Sequence, residues 1–310
     1  MAFCIPKIEA APVVPGRMVL IDADVIAYLG SFGTDDMPLN SALAKTKQRW
    51  NQVLAETQAE SCKGYLTGDN NFRDDIATLQ RYKGNRYDEA GKRIKPQPKW
   101  LPEVRQHLID VYNCTKTPEQ EADDALGIHA KQRRDDGLLG TQDNPMTIIS
   151  SVDKDLRINP GCHHNMSDGY MSWTEGIGHL ELDVKDKVRG SGLMFFYAQM
   201  IMGDSADWIK GLPYITEHIK DKYQLPRKGP AGPKAAYYLL KDCTTEEELE
   251  LRVWSAYFSY WVEHGYKHWR TGRVYTAGYD TAYKQFIEQG RLLWMRRKEG
   301  ELWEPTFLNS

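Results

Sequence analysis

Met18-Val19-Leu20-Ile21 is a short, continuous apolar run that stops at Asp22, the pattern of a strand buried on both faces of a parallel sheet. Asp22 then stands at its carboxyl end, and Asp24 follows as a turn residue. Gly64 to Thr67 repeats the pattern and ends on Gly68-Asp69, and Met146 to Ser150, rich in β-formers, is followed by Asp153 and Asp155. Leu39 to Ala59 is polar and helix-permissive. Strands that each end in an acid predict an α/β protein with a mainly parallel central sheet and helices on both faces. Ligands of such a protein gather beyond the carboxyl ends of the strands.

Helix signals continue the pattern. Thr117 suits a cap, Pro118 the first helical position and Gln120 the capping box. Ala122, Ala125, Leu126 and His129 fall at helical spacing and predict the inward face, which Glu121, Asp123 and Asp124 border. Taken alone, acids here are also what a capped, solvated helix start calls for. Leu193 to Met202 predicts an apolar helix running into Gly203-Asp204-Ser205-Ala206-Asp207. Lys228 to Ala236 is a glycine-rich turn into a helix, able to hold a phosphate on free N–H groups or simply to connect elements. Thr245 and Glu248 open a long helix whose Trp254, Tyr257, Phe258 and Trp261 stripe predicts core. Leu292 to Arg296 and Glu301 to Trp303, around Lys298-Glu299-Gly300, predict a closing hairpin.

Composition narrows the chemistry. With 310 residues and 41% hydrophobic content the chain can build a real core. No run approaches a membrane span. Met1 to Gly16, broken by Pro6, Pro12 and Pro15, lacks a signal pattern, which predicts a cytoplasmic protein with no membrane partner. Cys4, Cys62, Cys114, Cys162 and Cys243 show no paired spacing and read as free thiols. His264 and His268 lack the glutamate of a zinc helix, and Cys162-His163-His164 lacks a second ligand pair. The net charge of −3 excludes nucleic-acid binding over the whole surface. From Arg73 to Arg105, however, nine basic residues face five acidic ones, and prolines at 96, 98 and 102 predict a partly helical excursion over the sheet. A basic, aromatic-containing loop beside an acidic cleft suits a phosphate backbone presented to metal ions; an ordinary solvated loop has the same composition.

The ordered set is Asp22 after a strand, Asp69-Asn70-Asn71-Phe72-Arg73, Tyr82-Lys83-Gly84-Asn85-Arg86, Glu121-Ala122-Asp123-Asp124, Asp153-Lys154-Asp155, and Gly203-Asp204 with Asp207 before a glycine-rich turn. This resembles the flap endonuclease and 5′-to-3′ exonuclease family, most closely the stand-alone exonucleases of bacteriophages, over roughly Met18 to Leu240. The resemblance implies a PIN-like 5′ nuclease fold with two divalent-metal sites for Mg²⁺ or Mn²⁺. Asp22, Asp69, Glu121, Asp123 and Asp124 fall on the first, and Asp153, Asp155, Asp204 and Asp207 on the second. Lys83 and Arg86 fall on the family's reactive pair at the base of a helical arch. Expected DNA contacts are Arg73, Arg81, Tyr82, Lys92, Arg93 and Lys95 in the basic excursion, and Lys228, Gly229, Gly232 and Lys234 in a helix-turn-helix clamp over Gly203 to Leu240. The family's potassium ion belongs to that clamp, where the extra residues Tyr214 to Arg227 depart from the pattern.

The implied organisation is an N-terminal extension at 1–16, a nuclease core at 17–190 with the arch at about 73–111, and a helical DNA-binding region at 191–310. The implied partner is double-stranded or branched DNA with a 5′ end, with RNA–DNA hybrid as a further candidate, acted on by a monomer during phage replication in the host cytoplasm. Hard cations choose carboxylate oxygens, and two of them can activate a water and stabilise both the phosphoryl and the leaving oxygens. Two other readings stay open. Asp22-Ala23-Asp24 also resembles the nucleophile motif of haloacid-dehalogenase-type phosphatases, and a non-catalytic DNA-structure-binding module would carry the same basic stretch.

Overall fold

The structure, a computed structural model, describes residues 12–33 and 36–308. Residues 1–11 of the expected N-terminal extension, Cys4 among them, lie outside the described residues. The first half of the chain runs β1 (Val14–Asp22), α1 (Ala23–Ser31), α2 (Leu39–Thr57), β2 (Ala59–Thr67), α3 (Phe72–Ile76), α4 (Leu101–Tyr112), β3 (Thr115–Thr117), α5 (Ala122–Asp135) and β4 (Thr147–Ser151). β5 (Gly161–Asn165) and β6 (Met171–Thr174) complete a six-stranded sheet in the order β3-β2-β1-β4-β5-β6. All its pairings are parallel except β5 with β6.

The apolar run of β1 explains its central place. Val19, Leu20 and Ile21 are fully buried, which suits a strand covered on both faces. Ile21 and Val19 join α1, α2 and α4 on one face, while Leu20 and Ile149 pack with Leu126 and Ala130 of α5 on the other. Burying each such side chain stabilises the fold by roughly 1.5–3 kcal/mol. β1 begins at Val14, before the apolar run, through a register shift against β2 between Val14 and Met18. Chain order reverses across β1, with β2 on one side and β4 on the other. That switch point opens a crevice beyond the carboxyl ends of β1 and β4.

The second half is mostly helical: a hairpin of β7 (His179–Leu182) and β8 (Val188–Ser191), then α6 (Gly192–Met202), β9 (Tyr214–Ile215), α7 (Glu217–Lys222), β10 (Gly229–Pro230), α8 (Pro233–Leu240), α9 (Glu246–Trp261), β11 (Tyr266–Lys267), β12 (Val274–Tyr275) and α10 (Tyr279–Leu293). α6 is apolar all round and buried, with Phe195, Phe196, Tyr197 and Met200 inside the core. Tyr257 and Trp261 of α9 are core as expected, but Phe258 is 38% exposed. Among the described residues no helix is long and apolar enough to cross a membrane.

Two expectations from sequence need correction. Thr117 does not cap α5; it ends β3, and its hydroxyl donates to the Gln120 carbonyl at 2.9 Å. Glu121 is the cap instead, its N–H donating to Asp124 Oδ2 at 3.2 Å, because β3 carries the chain further before the helix can turn. The closing hairpin does not form. Leu292 and Leu293 finish α10, and the following carbonyls are drawn to a buried arginine rather than to a second strand. His264 and His268 do not share a helix, since α9 ends at Trp261. Sequence reasoning also missed β5 to β8, whose mixed polar residues carry no clear alternation.

Candidate active site

The acids converge where the strands end. Asp22 caps α1, accepting from the Asp24 and Val25 N–H groups at 3.2 and 3.3 Å, and its other oxygen accepts from Ser151 Oγ at 2.7 Å. Burial, the nearby Asp24 and then Asp153 raise its carboxyl to about 7. Asp123, in the first turn of α5, is pushed well up by burial and by the charges of Asp22, Asp153 and Glu121. Asp153 follows β4 and is raised by burial, with Asp207 and Asp204 adding to the push. These acids from β1, α5 and the loop after β4 therefore repel one another across the crevice and gain from a shared cation.

Around them, other acids already have counter-charges. Glu121 is ion-paired with Lys83, lies 3.7 Å from Arg73 and accepts from Tyr82 Oη at 2.8 Å; although burial opposes it, the two cations hold its carboxyl down to about 2. Asp207 accepts from Tyr82 Oη at 2.8 Å and pairs with Lys83 at 3.4 Å and Arg86 at 3.3 Å. Lys154 bridges Asp155 at 2.7 Å and Asp204 at 2.8 Å, and Gln199 donates to the same two acids. Asp155 is raised by burial and by Asp153, whereas Asp204, against its burial, is lowered by Lys154. Gly203 makes the Asp204 turn possible, because its φ is +73° and a Cβ there would meet the Ile209 carbonyl at 2.3 Å.

Asp69 and Asp124 do not join the cluster. Asp69 follows Gly68, where a Cβ would strike the Thr117 carbonyl at 1.7 Å, but its side chain is 86% exposed and paired with Lys116 at 2.7 Å. Asp124 is fully buried and saturated: Arg73 donates to both oxygens at 2.6 and 2.9 Å, and the Arg296 N–H donates at 3.1 Å. Arg73 in turn donates to the Leu292 and Trp294 carbonyls at 3.0 and 2.7 Å. With no exposed atom, Arg73 cannot touch DNA, and Asp124 has no lone pair to spare for a metal. Tyr82 is likewise buried, spending its hydroxyl on Glu121 and Asp207, so it offers no stacking face.

The basic excursion is partly helical, with α3, one 3₁₀ turn at Gly84–Arg86, and α4. Lys83 precedes that turn with a left-handed φ of 50°, so it reaches Asp207 beside Arg86 from a tight bend rather than from a shared helix face. Arg81 lies over the Tyr87 ring at 3.9 Å; Lys92 and Lys95 are exposed, and Arg93 is half-buried 5.9 Å from the same ring. Arg105 belongs to α4 and binds Asp24 and the Thr67 carbonyl. In the second half, Lys228, Gly229, Gly232 and Lys234 line a cleft of about 490 Å³, and the two glycines have open space where a Cβ would stand. The extra segment Tyr214–Arg227 forms α7 and pairs β9 with β10; Lys228 and Lys234 are ion-paired with Glu217 and Asp186 at 2.7 and 2.8 Å.

Ser151, Lys154 and Gln199 were missed as site residues. The signal for Gln199 was a lone amide in an apolar helix, and for Lys154 its place between two acids. The donor set is all hard oxygen, which suits Mg²⁺ or Mn²⁺. Among the described residues no three such side chains are disposed to hold an ion as they stand, since Lys83 and Lys154 draw several of the acids to themselves. An ion that keeps most of its waters needs only one or two carboxylates directly, and the repelling trio of Asp22, Asp123 and Asp153 fits that demand.

No family model matches the chain, and no curated protein matches it. Solved structures do. The bacteriophage T5 D15 protein co-crystallised with metal ions is 15% identical with a TM-score of 0.42, over 77% of this chain and 88% of that one. A variant of the T5 D15 flap endonuclease in a pseudo-enzyme–product complex with DNA and metal ions is 16% identical with a TM-score of 0.41, over 89% and 99%. A mutant T5 5′-exonuclease is 13% identical with a TM-score of 0.36, over 90% and 99%. The chain is thus similar to T5 5′ nucleases, at identities and TM-scores too low to assign it their activity or site residues.

Proposed function

We propose that the chain is a metal-dependent 5′ nuclease that hydrolyses phosphodiester bonds of duplex or branched DNA. The observation that carries this reading is the trio Asp22, Asp123 and Asp153 at the sheet's switch point, Asp22 buried and the other two half-buried, whose like charges face one another beside a cationic bend. Asp22, Asp123 and Asp153, with Glu121, Asp155, Asp204 and Asp207 around them, would hold the divalent cations. When bound, two such ions supply an activated water and neutralise charge on the phosphoryl and leaving oxygens.

The chain's own residues do the rest. Ser151 and the start of α1 fix the Asp22 carboxylate, and Lys154 with Gln199 fixes Asp155 and Asp204. Lys83 and Arg86 rest on Glu121 and Asp207, from which a phosphodiester entering the crevice can recruit them as charge-assisted donors. Lys92, Arg93 and Lys95 then neutralise backbone phosphates further along, and the open backbone at Gly229 and Gly232 meets the duplex. The phosphatase alternative is disfavoured because Asp24, the second acid of that motif, is tied to Arg105 and the Thr67 N–H. The test is product analysis with 5′- and 3′-labelled duplexes, flaps and RNA–DNA hybrids in Mg²⁺ and in EDTA. Fragments bearing 5′-phosphate support the reading. A covalent aspartyl-phosphate at Asp22, or DNA binding without cleavage in Mg²⁺, overturns it.

A further inference from the structure

Outside the acidic crevice and the glycine-rich cleft, the β11–β12 hairpin carries a one-sided positive charge. Between Glu263 and Asp280 the chain has no acid, but it carries Lys267, His268, Arg270 and Arg273, and Lys284 joins them from α10. Lys267, Arg270, Arg273 and Lys284 are all exposed. Three of the four lie against aromatic rings. Arg270 lies 5.0 Å from the Trp269 ring, and Arg273 and Lys284 lie 5.0 and 5.2 Å from Tyr275. Tyr275 is itself stacked on Tyr266 at 4.7 Å with the planes 3° apart, so its ring serves as a platform rather than as a stacking face for a base.

The hairpin is also firmly seated. Trp269 donates through its backbone N–H to the Thr78 carbonyl at 3.0 Å and through Nε1 to the Ala77 carbonyl at 2.9 Å, while Arg270 donates to the Asp74 carbonyl at 2.9 Å. Those acceptors lie in and just after α3, the helix whose Arg73 clasps Asp124 beside the acid cluster. The cations are therefore held at a fixed offset from the crevice, and among the described residues Lys267, Arg273 and Lys284 form no salt bridge, while Arg270 lies near enough to Asp74 for their charges to interact.

We propose that the Tyr266–Tyr275 hairpin, with Lys284, is a second nucleic-acid contact that grips backbone phosphates independently of base sequence. Exposed cations, two of them ordered on the Tyr275 ring and free of salt bridges among the described residues, fit a repeating phosphate, because each phosphate contact releases condensed counterions. The proposal rests on the nuclease reading, since it places the backbone of a substrate whose scissile bond lies in the crevice.

The test is the triple variant Lys267→Gln, Arg273→Gln, Lys284→Gln, read by fluorescence anisotropy with labelled duplex, 5′-flap and single-stranded DNA across a salt series in Ca²⁺. Thermal unfolding confirms that the variant folds. Removing three contacts is expected to weaken binding at 0.1 M salt by roughly tenfold or more and to flatten log Kd against log salt by roughly 2–3, at about 0.9 per phosphate for duplex. The double variant Lys47→Gln, Arg49→Gln on α2, removing exposed charge elsewhere, is expected to change that slope by less than about one. The flap and single-stranded arms show which backbone is gripped. An unchanged slope in a folded triple variant, or equal flattening in the α2 variant, overturns the hairpin contact while leaving the nuclease reading intact. Wild-type protein that binds no DNA overturns both.

Discussion

At the scale of single residues, the presence of a counter-charge separates buried acids that hold the fold from those that await a ligand. Asp124 and Arg73 form a buried pair, so Asp124→Ala leaves a fully buried guanidinium uncompensated and is expected to cost about 3–5 kcal/mol, read as a lower unfolding temperature in metal-free buffer. Asp22 behaves in the opposite sense. Its carboxyl is raised from 3.8 to about 7, so the ionised form weighs against the folded state, and that penalty grows as pH rises from about 4 to about 7. Asp22→Asn should therefore stabilise the metal-free protein at pH 8, by at most roughly 4 kcal/mol, while abolishing cleavage. A destabilised Asn variant would show that Asp22 is structural. Lys83→Ala or Arg86→Ala should lower the single-turnover rate by roughly 10²–10³ with little loss of DNA affinity. Replacing Lys92, Arg93 and Lys95 together should instead weaken binding and its salt dependence. Equal losses of affinity in both sets would reduce Lys83 and Arg86 to members of a basic patch.

At the scale of elements, the readable parts were those with one dominant signal. The apolar run of β1, the apolar α6 and the capping box of α9 each follow from local residues, and each forms close to where the pattern places it. The start of α5 was misplaced because Thr117 satisfies strand and cap chemistry equally, and only the parallel partner β2 decides between them. The C-terminal close was misread for a related reason. Its carbonyls are taken by Arg73, more than two hundred residues earlier in the chain, a contact no local pattern displays. Strand ends pointed to Asp22 and Asp153 but equally to Asp69, which stays outside, and the division of the acids into repelling and neutralised members was not legible, since that depends on where Lys83, Lys154 and Arg73 reach. β5 adds a pH signature. His163 is buried against the Asn159 carbonyl and lowered to about 4, so it stays neutral in the fold while the unfolded chain takes up a proton below about 6.5. Stability from this group is thus fully present above about 6.5 and lost as pH falls toward 4. Thermal melts between these limits should show a smaller slope in His163→Gln than in wild type.

At the scale of the whole molecule, a parallel sheet supplies the acidic crevice at its switch point, and the helical half supplies Asp204 and Asp207 from the turn after α6. The account holds that this shared crevice hydrolyses DNA with divalent ions held by carboxylates from both halves. The most direct test is single-turnover cleavage of a 5′-flap duplex by wild type and by Asp153→Ala, each with Mg²⁺ and with EDTA, alongside DNA affinity in Ca²⁺. The account predicts cleavage only by wild type in Mg²⁺, with the variant folded and still binding DNA. Undiminished cleavage in EDTA, or wild-type rates from Asp153→Ala, would contradict it.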